Sequence, residues 1–80
     1  MKKMTCRQLG GACDKEFLAN SFEEMAEQSK KHAREMFQAG DADHIRAMTE
    51  MQERMKSPAF MKDWFESRKR EFDALPEEKS

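Results

Sequence analysis

From residue 21 onward, apolar side chains return every three or four positions, and the series is broken twice. Phe22, Met25, Ala26, Ser29, His32/Ala33, Met36 and Phe37 trace one face of a first helix. His44/Ile45, Met48, Met51/Gln52 and Met55 trace a second, and Phe60/Met61, Trp64/Phe65, Arg68 and Phe72 a third. The residues between these faces punctuate them in the expected way. Ser21-Phe22-Glu23-Glu24 is a capping box, in which hydroxyl and carboxylate each satisfy an orphan backbone donor. Gly40 can take the left-handed conformation that ends a helix, and Asp41 can cap the next. Ser57-Pro58 is a cap followed by proline at the first helical position, and Leu75-Pro76 closes the third helix. These signals predict helices over residues 21–39, 41–56 and 58–74, with residues 77–80 as a frayed tail.

Ahead of Ser21 the period shortens to two. Residues 3–8 and 13–18 read as short strands of a hairpin, with Met4 and Cys6 on one face of the first and Cys13 and Phe17 on one face of the second. A turn centred on Leu9-Gly10 pairs residues whose numbers sum to 19, which sets Cys6 directly opposite Cys13. Opposed Cβ atoms lie about 4.5–5.5 Å apart, a spacing that suits two sulfurs on one metal or a disulfide. Gly10-Gly11 supplies the positive φ of such a turn. The predicted fold class is α+β, a short N-terminal β-hairpin (residues 3–18) followed by three α-helices, in one small domain over residues 1–76.

Composition sharpens this picture. At 80 residues the chain sits where a hydrophobic core alone is barely sufficient, and a metal, disulfide or second chain often adds the remainder. Charged residues make up 39% and hydrophobic ones 38%, yet the periodicity argues for an ordered domain. Fifteen basic and sixteen acidic residues leave a net charge of -1, and the small clusters Lys30-Lys31 and Arg68-Lys69-Arg70 have acidic neighbours. Nucleic-acid binding is therefore not expected. Nor does any apolar run reach the length of a membrane span or secretory signal, so a cytoplasmic protein is expected. In that compartment the two thiols stay reduced unless a metal holds them.

The chemistry-bearing residues are few. Cys6, Cys13, His32 and His44 are all the cysteine and histidine in the chain. Two thiolates and two imidazoles are a tetrahedral zinc set, although six residues between the cysteines is looser than the zinc-finger spacing. Each residue also has an ordinary role open to it. A histidine on an apolar helix face can be a hydrogen-bonded core residue, His44 can partner Asp41 or Asp43, and facing cysteines can fill a small core. No oxyanion-hole signature or phosphate-cradling loop accompanies them, so the chain is not expected to be an enzyme. The eight methionines include Met25, Met36, Met48, Met51, Met55 and Met61 at core spacing, which favours packing over a soft copper site.

The run Met4-Thr5-Cys6-Arg7-Gln8-Leu9-Gly10-Gly11-Ala12-Cys13-Asp14, then Phe17 and Ala19-Asn20-Ser21-Phe22-Glu23-Glu24-Met25, resembles a family of small bacterial proteins of unknown function labelled predicted small metal-binding proteins. Lys31-His32, Gly40-Asp41, His44 and Trp64-Phe65-Glu66 extend the resemblance over most of the chain. It implies a metal site built from the cysteine pair and histidine. Shorter relatives carry a second histidine five residues after the first, where this chain has Phe37, which cannot ligate. Three outcomes stay open: His44 is the fourth ligand, the site is three-coordinate, or the metal is lost.

The sequence thus predicts one divalent transition metal, zinc first, held by Cys6, Cys13, His32 and His44 in a structural site. The alternatives are a metal-free helical interaction or dimerisation module, and a redox sensor in which Cys6 and Cys13 close a reversible disulfide. The aromatic load of the third helix is large for so small a body and predicts self-association into a homo-oligomer.

Overall fold

A computed structural model describes residues 1–77; the last three positions of the expected tail lie outside the described residues. The element order is β1 (Lys2–Thr5), β2 (Glu16–Ala19), α1 (Phe22–Gln38), α2 (Ala42–Met55) and α3 (Pro58–Ala74), an N-terminal antiparallel hairpin followed by three helices. The α+β class is as expected, and the helix limits fall within one residue of the capping signals once the caps themselves are excluded.

Each helix starts on a side-chain oxygen. Ser21 Oγ accepts from Glu24 N at 3.2 Å, while Glu24 Oε2 accepts from the amide of Asn20 at 3.0 Å, one residue further back than in the usual capping box. Asp41 caps α2 through His44 N, and Ser57 caps α3 through Phe60 N. At the α1–α2 joint, Gly40 takes φ +74°, Gly40 N donates to Phe37 O and Asp41 N to Met36 O, both at 3.1 Å. This is a Schellman turn, and it leaves Asp41 as both the last residue of one helix ending and the cap of the next helix.

The hairpin departs from the expected register. Lys2 pairs with Ala19, Met4 with Phe17 and Thr5 with Glu16, so the paired numbers sum to 21 rather than 19. The strands are shorter than predicted, and neither cysteine belongs to them. Cys6 follows the last pair, with its N–H on Lys15 O at 2.8 Å, and Arg7 N donates to Cys13 O at 2.9 Å. Residues Arg7–Leu9 then form a 3-10 turn that ends on Gly10 at φ +94°. Leu9 N and Gly11 N both donate to Cys6 O, at 3.0 and 2.9 Å. The glycines are therefore used to curl the chain around Cys6 and not to make a two-residue hairpin turn.

Met4, Cys6, Leu9, Phe17, Ala19, Met25 and Phe72 form the buried core, so the hairpin's inner face is sealed by α1 and by the end of α3. The Phe22 and Phe72 rings meet edge-to-face with centroids 6.1 Å apart, and Lys2 Nζ lies 5.2 Å from the Phe72 centroid. Helix α3 thus starts against α2 and finishes on β1. Glu77, placed in the frayed tail by the sequence, has Oε2 2.6 Å from the Met1 amino group. The methionine expectation needs correction. Met25 is fully buried, but Met36, Met48, Met51 and Met55 are half-buried and Met61 is exposed; Met48 and Met51 line a cleft where a closed core was expected. The Cα extents are 34 × 31 × 15 Å, those of a plate. Among the described residues, no helix is long and apolar enough to cross a membrane.

Candidate metal centre

The β1–β2 connection delivers two side chains, and α1 and α2 one each, to the same point. Cys6 leaves the end of β1, Cys13 stands in the loop before β2, His32 projects from the middle of α1 and His44 from the first turn of α2. Their ligand atoms all lie within 4.8 Å of one another. Cys6 Sγ is 3.6 Å from His44 Nε2, and Cys13 Sγ is 3.3 Å from His32 Nε2. Zinc bonds of about 2.3 Å to sulfur and 2.0–2.1 Å to nitrogen, at a tetrahedral angle, give a sulfur–nitrogen edge of about 3.5–3.6 Å. Both of these sulfur–nitrogen edges are already close to that value. The four residues named from the sequence are therefore brought together, with the two imidazoles edge-to-face at 5.2 Å between centroids.

The surroundings fit the donor set. Cys6, His32 and His44 are buried and Cys13 half-buried, which excludes competing water. The backbone amides of Cys13 and Ala12 lower the Cys6 thiol and that of Lys15 lowers Cys13, the kind of support a thiolate needs once out of water. Gly11 makes the curl of the chain around Cys6 possible, since a Cβ there would overlap Cys6 Sγ and stand 3.1 Å from Cys6 O. On the outer side, His44 Nδ1 lies 2.8 Å from Asp41 Oδ1. A carboxylate on that nitrogen keeps its proton there and turns the Nε2 lone pair toward the sulfurs, the arrangement that supports metal-bound histidines.

The titration of the cluster follows from the same contacts. Burial pushes the Cys6 thiol up, and the amides only partly oppose it. Cys13 is also penalised by burial, but the Lys15 amide, the His44 ring and Cys6 outweigh this and bring it below the ordinary thiol value. His44 is raised, first by its bond to Asp41 and then, against burial, by Cys13. His32 is lowered by burial, with the His44 charge next. Asp41 is lowered by the amide and then the ring of His44. In proton terms, then, His44 faces both sulfurs: 3.6 Å from one and lowering the pKa of the other.

Asp41 is legible in sequence both as a cap and as a partner open to His44, and it is both. Gly11 reads only as a turn residue, and nothing in the sequence signals that it makes room for the Cys6 sulfur. The sequence also does not announce the cleft that opens beside the cluster. Its volume is about 270 Å³, and its floor includes Cys6, Gly10, Gly11 and His44. No family model matches the chain, and neither does any curated protein or solved structure.

Proposed function

We propose that this chain binds one zinc ion through Cys6, Cys13, His32 and His44, and that the ion is structural, pinning the hairpin to α1 and α2. The observation that carries the reading is the convergence of four ligand atoms, from the β1–β2 connection, α1 and α2, within 4.8 Å of one another. Sulfur and imidazole in equal number favour zinc over the oxygen-loving cations. With all four positions filled by protein, no position is left for water or substrate, so the role is non-catalytic. The chain needs such support: among the described residues, seven make the buried apolar core, and two of the four ligands, His32 and His44, are the polar groups buried beside it. The resemblance to small bacterial metal-binding proteins agrees with this reading and, with it, a cytoplasmic setting.

Native and denaturing mass spectra of the untagged chain, purified with zinc present, test the proposal. The native mass should exceed the denatured mass by one zinc per chain and return to the apo value in the Cys6→Ser/Cys13→Ser variant. Equal native and apo masses for the wild type would overturn it.

A further inference from the structure

The chain exposes more surface than a compact monomer of its size. Its accessible area is 5718 Å², against about 5000 Å² expected at this length. The radius of gyration, 12.8 Å, is likewise above the roughly 11.6 Å of a compact 80-residue domain. The excess of roughly 700 Å² is close to the 800 Å² that each partner buries in a standard interface.

One cleft gathers apolar side chains that no other element of the chain covers. The cleft between the hairpin tip and the three helices is lined by Leu9, Phe22, Met48, Met51, Trp64 and Phe65. Its rims carry large apolar side chains facing water. Phe65 is 41% exposed, and Met61, one turn earlier on α3, is 40% exposed. Across the cleft, Ala26, Lys30 and Ala33 of α1 line the wall, and Phe37 continues their row by four residues at 57% exposure.

We propose that this cleft and its rims are the face of an isologous homodimer, with the α1 and α3 rims of each copy seated on the cleft of the other. An isologous interface requires one patch to carry both a depression and the features that fill it, and this patch does. A net charge of -1 leaves little repulsion between copies. A small-molecule occupant fits less well. Such sites fix a ligand with convergent polar groups, and the cation lining this wall, Lys30, already lies 3.8 Å from Glu27. The inference stands on surface and shape, independently of zinc.

Sedimentation of the full chain, zinc-loaded as purified, tests it over micromolar to millimolar concentration. The wild type should reach twice the chain mass. Phe65→Glu and Phe37→Glu, both at exposed positions, should sediment as monomers while keeping the wild-type helical circular dichroism and, if metal is bound, its stoichiometry. Glu50→Lys, on an exposed face away from the cleft, should stay dimeric. A monomer mass throughout overturns the proposal, as does a dimer that survives the Phe37→Glu/Phe65→Glu double variant. A native mass showing one chain with a small apolar molecule bound would overturn it equally, by giving the cleft another occupant.

Discussion

Asp41 Oδ1 accepts two hydrogen bonds from His44, one from its backbone N–H at 2.9 Å and one from ring Nδ1 at 2.8 Å. One oxygen therefore starts α2 and aims the imidazole of the same turn at the cysteines. Asp41 is itself held by the Schellman turn at Gly40, so the ring's direction is fixed from α1 as well. The sequence alone ranks His44 as the most replaceable ligand, since it lies across the Gly40 joint. The carboxylate argues for a rank at least equal to that of His32.

Separating the two roles of Asp41 is possible by substitution. Asp41→Asn keeps an oxygen for the cap but removes the charge behind the ring. It should leave the melting temperature of the metal-free chain nearly unchanged and weaken zinc about tenfold. Asp41→Ala removes both, so it should destabilise the metal-free chain by about 1 kcal/mol and weaken zinc up to about a hundredfold. Competition with a chromogenic chelator, alongside thermal melts, measures both. Equal zinc affinity in all three proteins would show that the carboxylate is only a cap.

Two glycine-to-alanine changes should behave differently for a stated reason. At Gly11 the new methyl would collide with Cys6 Sγ, whereas at Gly40 no atom lies within 4 Å of it and only the φ of +74° opposes it. Gly40→Ala should therefore lose about 1–2 kcal/mol of stability and keep full zinc stoichiometry. Gly11→Ala should fail to hold stoichiometric metal even where it folds. Elemental analysis of the two purified variants decides the point, and a zinc-replete Gly11→Ala protein would contradict the packing described here.

Helix limits were legible because they depend on local chemistry: Ser21, Asp41 and Ser57 each cap within three residues of themselves. The four clustered side chains were legible as candidate ligands because cysteine and histidine are scarce in the chain. The hairpin register was not. Gly10-Gly11 has the signature of a tight turn, but two residues are spent wrapping amides around Cys6, and this shifts the pairing sum to 21. Helical periodicity also overstated the core. Met48, Met51, Trp64 and Phe65 fall at inward spacing and do face inward, but toward a cleft. Periodicity reports the direction of a side chain and not whether another element covers it.

The metal-free and zinc-bound chains should respond differently to acid. In the metal-free chain the His44 pKa is raised, so its contribution is complete below the unfolded value of 6.5 and disappears as pH rises through the higher folded value. The His32 pKa is lowered, so its contribution is complete above 6.5 and disappears as pH falls toward the lower folded value. The two losses lie on opposite sides of pH 6.5, so the melting temperature of the metal-free chain should be highest near that value and decline gently on either side. Asp41, lowered from 3.8, adds a loss only in stronger acid. With zinc, both imidazoles and both thiols must stay deprotonated, so stability should fall steeply as pH drops below about 6. Thermal melts with and without zinc over this range provide the comparison, and parallel curves would speak against coordination by these residues.

The cysteines supply the remaining test, because zinc and oxidation compete for the same electron pairs. Both thiols are free, and their sulfurs belong to the cluster within 4.8 Å. Cys13 is half-buried with a lowered pKa, while Cys6 is buried with a raised one, so Cys13 is the thiolate that reacts first. In chelator-treated protein, an alkylating agent should label Cys13 before Cys6, and a mild oxidant should close an intrachain Cys6–Cys13 disulfide. Zinc should suppress both reactions by holding the sulfur lone pairs. Peptide mass mapping after timed labelling gives the order directly. Labelling rates unaffected by zinc would remove the sulfurs from the site, and labelling of Cys6 first would contradict the inner position that Gly11 and the buried core give it.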